Sequence, residues 1–428
     1  MSLHSRKKRR MDPGHFDLVV VGCGGGHDET NLSAYLLKPR DKLWSDGILG
    51  LDAGSGYGAL KQLFGSTHPH LFAPLFKPQS SKRPYSAIDK AHTVFTHLRA
   101  YLITHAHLDH CASLIISSGS LPGPTRHILG AQSVLEDLDR CIWKPGRCWP
   151  RIVGWDQSNA SNTAGGILRA LKLAPNTHVI GDRDEEYAPI GAGLDDLLVR
   201  VVPLSHGCAY TSSAFFIRHA RTRHEFLFFG DVEADPIPGL SPPSSSSSSS
   251  SLPSSSARPL LFPIWTHTAH LFASNRLRTL LIECSYPAGR PESQMFGHLS
   301  VEGLRKEIKV LAREVAKLRP NPVAKPRVSE VEDTTTTKLR LPLKRKTQLD
   351  PAHHHTRSSS KSPVAGPLTG LRVIVTHCKE PAPGFDLQGA PTIADYIVRQ
   401  LKYGVGNLGP DETGVEYVAA HQGDEFVL

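Results

Sequence analysis

Four side chains able to ligate a metal fall within six consecutive positions of this 428-residue chain, in Thr104-His105-Ala106-His107-Leu108-Asp109-His110, directly behind the apolar run 98–104. Imidazole and carboxylate together suit zinc and related divalent ions. In an extended or turning backbone His105 and His107 point to one side while Asp109 and His110 turn towards another, so one short loop can serve two metals. A helix would scatter the four differently. Two metals ~3.5–4 Å apart can share a hydroxide and stabilise both the attacking and the leaving oxygen of an in-line displacement, which makes phosphoester hydrolysis the natural chemistry.

Four ligands are too few for two ions, and His or Asp residues closing other apolar runs supply the remainder. His206 follows 201–204, Asp231 follows 226–230 and His377 follows 373–376. Each taken alone reads equally well as an exposed polar residue at a strand end; taken in series, the ligand reading is the better one.

Short β-branched or aromatic runs bounded by Gly, Pro, His or charged residues predict strands at 16–22, 32–37, 48–51, 198–202, 214–217, 226–229, 279–282 and 372–376. Leu60, Leu63 and Phe64 fit one helical face, and Val301, Leu304, Ile308, Leu311, Val315 and Leu318 keep helical spacing behind Ser300, a capping residue. The chain therefore reads as a basic disordered tail over 1–15 and a single α/β domain over 16–428, interrupted by low-complexity insertions at 236–259 and 320–367. The first insertion contains the serine run Ser244 to Ser251, and the second contains Lys344-Arg345-Lys346 and His353-His354-His355. Neither composition supplies a core, and the histidine triplet reads as a solvated tract.

Much of the formal charge of +9 lies in the N-terminal run and the second insertion, so it says little about the site. Seven scattered cysteines with no Cys-x-x-Cys pair predict reduced thiols. No apolar run approaches the ~20 residues that cross a bilayer. The expected location is cytoplasmic, with a nuclear one left open by the basic run Ser5-Arg6-Lys7-Lys8-Arg9-Arg10. Gly22-Cys23-Gly24-Gly25-Gly26 lacks the third glycine of a dinucleotide fingerprint and reads as a tight turn. Trp143 and Trp149 read as core.

The order His-x-His-x-Asp-His, His206, Asp231, His377, preceded by Leu51-Asp52-Ala53-Gly54, resembles the metallo-β-lactamase superfamily over most of the chain outside the insertions. Within it, the string from His105 to Ser118, with Gly25-Gly26 and Asn31-Leu32-Ser33 upstream, is similar to the signature of class II cyclic-nucleotide phosphodiesterases, found in fungi and other microbes. That resemblance implies an αββα sandwich of two mixed β-sheets flanked by helices. It also implies hydrolysis of 3′,5′-cyclic AMP, with cyclic GMP as a further substrate, to the 5′-nucleotide by a metal-bridging hydroxide, ending cyclic-nucleotide signalling. One ion, expected to be Zn2+, would take His105, His107 and His206; a second would take Asp109, His110 and His377; Asp231 would bridge, and Asp52 would orient the ligands from behind. The chain departs from the family pattern at Asp139-Arg140-Cys141-Ile142-Trp143-Lys144-Pro145, where relatives carry an asparagine-rich stretch, a difference that bears on substrate preference.

Glu283-Cys284-Ser285 behind a predicted strand and Gly297-His298-Leu299-Ser300 ahead of the amphipathic helix resemble the Glu and His that assist phosphodiester cleavage in related tRNA-processing enzymes. With Asp109 they complete the expected catalytic set: His298 would donate a proton to the leaving 3′ oxygen, a role typically worth ~10²–10⁴ in rate, and Glu283 would orient it. The plainer alternative is that His298 only sits at the helix start. A tRNA 3′-end endonuclease would share every ligand but needs a folded basic arm for RNA, whereas the basic residues here lie in low-complexity segments. A glyoxalase II-like thioesterase fits the continuation 114–118 less well, and a catalytically silent scaffold would have lost ligands. The expected partner is thus a small cyclic nucleotide, with membrane and nucleic acid disfavoured and a homodimer left open.

Overall fold

A computed structural model describes residues 14–76, 84–120, 122–150, 153–155, 166–174, 183–207, 210–236, 260–319 and 366–428. The basic N-terminal run, the stretches 237–259 and 320–365 of the two insertions, and with them His353, His354 and His355, lie outside the described residues.

Among the described residues one sheet is built from β1 (Phe16–Gly22), β2 (Ala34–Pro39), β3 (Ile48–Leu51), β4 (Leu98–Leu102), β5 (Arg126–Ala131), β6 (Val153–Trp155) and β7 (Gly166–Leu171), with β15 (Glu425–Val427) at the edge beside β1. The other contains β8 (Ala188–Pro189), β9 (Leu197–Ser205), β10 (Thr211–His219), β11 (Glu225–Phe229), β12 (Leu277–Glu283), β13 (Arg372–Thr376) and β14 (Glu416–Ala419). Neighbours from β3 to β6 in the first sheet and from β11 to β14 in the second run parallel, and the remaining pairs are antiparallel. Both sheets are therefore mixed.

The two-residue period of an extended chain stacks these sheets face to face. Phe16, Leu18 and Val20 of β1 enter the layer between the sheets, where they meet Phe226 and Phe228 of β11 and Ile374 of β13. The alternate residues face outward: Val19 and Val21 towards helices on one side, Leu227, Phe229, Val373 and Val375 towards helices on the other. On the first side lie α1 (Tyr57–Gly65), α2 (Ala87–His97), α3 (Leu108–Ser117) and α4 (Gln132–Leu138); on the second lie α5 (Leu261–Ala273), α6 (Val301–Leu318) and α7 (Ile393–Tyr403). This is the αββα sandwich expected from the sequence.

The helix predicted behind Ser300 forms as α6, and the Ser300 hydroxyl accepts a hydrogen bond from the Gly303 N–H at 3.3 Å. Its stripe of Val301, Leu304, Ile308, Leu311 and Val315 is fully buried, each side chain contributing about 1.5–3 kcal/mol on leaving water. Trp143 is buried and Trp149 packs partly buried on the same cluster, so both serve the core. Asp235 closes the first insertion: its carboxylate accepts hydrogen bonds from the N–H groups of Leu260, Leu261 and Phe262 at 2.8–3.1 Å, tying the far end of the insertion to the segment it leaves.

Strand direction places the site. β9 and β11 are both antiparallel to β10, so β9, β11, β12 and β13 all run one way, and their carboxyl ends lie along one edge of the second sheet. His206, Asp231, Glu283 and His377 stand at or just beyond those ends, while Asp52 and His105 follow the parallel pair β3 and β4. A crevice at the carboxyl ends of parallel strands is where α/β sheets gather their ligands.

His421, in the turn between β14 and β15, lies 3.5 Å from Asp424 and 3.1 Å from Asp395 in the first turn of α7. The bond to Asp424, with help from Asp395 and against partial burial, raises its pKa from 6.5 to about 9. A pKa raised by folding means that the folded state binds the proton more tightly, so the stabilisation is complete below 6.5 and is lost as the pH climbs through about 9. Urea unfolding of wild type is expected to show falling stability between these limits and a flatter profile for His421→Gln; equal slopes would remove His421 from this role.

Candidate metal centre

The loop after β4 turns tightly into α3, with His107 as the residue before the first helical turn. This brings His105 Nε2 to 3.0 Å from His107 Nδ1, and His206 Nε2 arrives from the end of β9 to 3.4 Å from the same His107 nitrogen. Oδ2 of Asp231 lies 3.7 Å from both His105 Nε2 and His206 Nε2. These four residues can share one ion.

Asp109 and His110, in the first turn of α3, face the other way. His110 Nε2 lies 3.2 Å from His377 Nε2, which lies 3.2 Å from Asp109 Oδ2. Here it is the other oxygen of Asp231, Oδ1, that approaches, at 3.3 Å from His110 Nε2 and 3.4 Å from His377 Nε2. Asp109, His110, Asp231 and His377 form a second group able to hold an ion, and Asp231 belongs to both. All seven residues expected as ligands from the sequence are thus brought together.

Outer hydrogen bonds show what the converging nitrogens can do. His110 Nδ1 lies 2.7 Å from Asp52 Oδ2, and His206 Nδ1 lies 2.8 Å from the Gly297 carbonyl. Both partners are acceptors, so these rings donate outward from Nδ1 and turn a bare Nε2 lone pair inward. Ser285 Oγ donates to Glu283 Oε2 at 2.7 Å and lies 3.1 Å from His377 Nδ1, which gives His377 the same tautomer. Lone pairs 3.2 Å apart repel unless a proton or a cation stands among them. The donor set, its mutual spacing and its outward-fixed tautomers fit divalent metal ions, as the fold implies.

Electrostatics favour the ligating forms of most of the cage. Burial pushes the His105 imidazole well below 6.5, reinforced by His110, and burial together with His206 lowers His107. Burial alone would raise the Asp231 carboxyl, yet His377 and His110 hold it well below the usual carboxylate range. Asp109 is likewise held low against burial by the His377 hydrogen bond and by His110. His110 is the exception: against burial, its neighbours Asp231 and Asp52 push it well above 6.5.

Asp52 earns its place by three bonds, accepting from the Thr104 N–H at 2.8 Å and the Thr104 hydroxyl at 2.9 Å besides meeting His110. His298 Nδ1 lies 3.0 Å from Glu283 Oε1, and its ring stands 4.8 Å from that of His206 and 5.4 Å from that of His377. Glu283, against burial, raises the His298 pKa above 6.5. Several members were not singled out from the sequence. Ser285 stands out in the sequence only as a neighbour of Glu283, and the Gly297 carbonyl and Thr104 act through bonds to residues far away in the chain. Gly25 answers to close approach: a Cβ there would lie 2.3 Å from His377 Nδ1.

The sequence profile of the cAMP phosphodiesterases class-II matches residues 19–402. A 3′,5′-cyclic-nucleotide phosphodiesterase of Schizosaccharomyces pombe is 28% identical over 310 residues, which span 69% of this chain and 75% of that protein. One from Candida albicans is 24% identical, over 86% of this chain and 89% of its own length. The crystal structure of unliganded yeast PDE1 superposes with a TM-score of 0.64 at 19% identity, covering 97% of this chain and all of that one, and so shares the metallo-β-lactamase-like fold.

Asp52→Asn is expected to free the His110 ring and weaken metal retention about 10–100-fold, a loss typical of outer hydrogen-bond partners. Metal analysis after dialysis against graded chelator measures it, with circular dichroism as the control for folding. Retention equal to wild type would leave Asp52 with a purely structural part.

Proposed function

The chain belongs to the class II cAMP phosphodiesterases, and from that membership and the cleft's geometry we propose that it hydrolyses 3′,5′-cyclic AMP to 5′-AMP at a pair of zinc ions. The observation that carries this reading is the split Asp231 carboxylate, with one oxygen facing His105 and His206 and the other facing His110 and His377. His105, His107 and His206 would hold one ion and Asp109, His110 and His377 the other, with Asp231 shared. When bound, such a pair supplies an activated water at neutral pH and positive charge opposite the phosphate oxygens.

The remaining work falls to the protein. In the net reaction water adds to phosphorus, the bond from phosphorus to the 3′ oxygen breaks, and that oxygen must gain a proton. We assign that proton to His298, and three features support the assignment: Glu283 engages Nδ1, Nε2 is uncommitted among the described residues, and the ring stands beside both histidine groups. Glu283 fixes the ring, Asp52 fixes His110, and Ser285 with the Gly297 carbonyl fix His377 and His206. Cyclic GMP presents the same phosphodiester ring and is read as a second substrate.

Purified wild type is expected to convert cyclic AMP to 5′-AMP, with activity lost on chelation and restored by Zn2+, and Asp109→Ala to be inactive and metal-poor. His298→Ala should retain its metal and fall by about 10²–10⁴ in kcat. Metal-loaded wild type without turnover of cyclic AMP would overturn the substrate; His298→Ala at full rate would overturn the proton donor alone.

A further inference from the structure

Two large aromatic side chains stand exposed on loops beside the cleft, and the fold buries neither. Phe296 is 70% exposed and adopts a φ of 52°, the left-handed region that bulky residues avoid. The turn itself explains only part of this. Gly297 follows with φ 81°, its carbonyl fixes His206, and a Cβ on it would lie 2.4 Å from the Gly207 nitrogen. That close approach demands glycine at 297, but an asparagine or glycine at 296 would make the same turn without strain. An exposed phenylalanine held in an unfavourable conformation two residues before His298 suggests a role outside the fold.

Tyr210 belongs to the loop that Gly297 touches, and its carbonyl accepts the His206 N–H at 3.3 Å. Its ring centroid lies 4.2 Å from that of His107 and 6.5 Å from that of His206, yet the residue is 41% exposed. Two exposed aromatics therefore stand on two touching loops that flank His206.

We propose that Phe296 and Tyr210 form the aromatic platform that receives the purine base of the cyclic nucleotide while its phosphate lies over the histidine cage. The proposal deepens the cyclic-nucleotide reading and rests on it. A base has an apolar π-face that pairs with an exposed ring, and a nucleotide whose phosphate is fixed at the cage extends its base away from it. Such a platform binds the substrate in the ground and transition states alike, so its loss acts on KM more than on kcat.

Phe296→Asn keeps a residue that tolerates φ 52° and removes the ring. It is expected to raise KM for cyclic AMP about 10-fold, the range of one lost base stack, with a smaller change in kcat and a melting temperature no lower than wild type. The dissociation constant of the product 5′-AMP should weaken by a similar factor in calorimetry. Phe296→Trp should restore KM where Phe296→Leu does not, and Tyr210→Leu should act in the same direction as Phe296→Asn. Unchanged KM in both Phe296→Asn and Tyr210→Leu, or rescue by leucine equal to that by tryptophan, would overturn the platform. Wild type runs in the same assay: its failure to turn over cyclic AMP would overturn the underlying activity, whereas normal wild-type turnover with unaltered variants overturns the platform alone.

Discussion

The buried carboxylate of Asp231 is the constraint on which the rest of the structure turns. Only 2% exposed, it has lost its water and must be compensated by neighbours. Five imidazoles, His105, His110, His206, His298 and His377, converge on it with nitrogens 3.3–3.7 Å from its oxygens, and a proton or cation held among them supplies the compensation. His105 and His110 come from the end of the first sheet; His206 and His377 come from the end of the second. Neither sheet can satisfy Asp231 alone, so the group that defines the site also fixes how the two layers meet. Any ion the cage holds then contributes its binding energy to the stability of the sandwich.

Much of this was legible because it is encoded locally. The spacing of His105, His107, Asp109 and His110 depends only on a strand ending in a turn, and the burial stripe of α6 depends only on helical period. What stayed hidden depends on distant parts of the chain. β5 and β7 are short and pair parallel across the intervening α4, so no hairpin turn announces them. α5 carries Pro263, Thr266, His267 and Thr268 among its apolar residues and is buried on most of its surface; without a polar face it shows no helical stripe. The Ser285 link between Glu283 and His377 crosses from β12 to β13 and has no sequence signature at all.

Among the described residues eight that are not glycine adopt positive φ, and three of them belong to the cleft or its rim. Asp52, Phe296 and His377 adopt φ values of 52°, 52° and 54°, conformations costing of order 1–3 kcal/mol each, and all three stand in or beside the cleft. For Asp52 and His377 the surroundings supply the restraint. The Asp52 N–H donates to the Leu102 carbonyl at 2.9 Å and its carboxylate takes three further bonds, while the His377 N–H donates to the Cys23 carbonyl at 2.7 Å and its Nδ1 lies 3.1 Å from Ser285 Oγ. The strained turns follow directly on strand ends and bring these side chains to the histidine cage. Phe296 takes the same conformation with its ring in solvent, and this contrast separates it from the other two.

Glu283 shows how one side chain ties the cage to His298. Its Oε1 accepts from the Val232 N–H at 2.7 Å and meets His298 Nδ1 at 3.0 Å; its Oε2 accepts from Ser285 Oγ at 2.7 Å and the Leu299 N–H at 3.3 Å. Val232 follows Asp231, Ser285 holds His377, and Leu299 follows His298, so a single buried carboxylate sets the positions of Asp231, His377 and His298 together. Its saturation with four bonds makes a fully buried charge affordable and leaves it no freedom to rotate. His298 is thereby held in a fixed orientation relative to the cage, the kind of pre-organisation that removes reorientation from a reaction barrier.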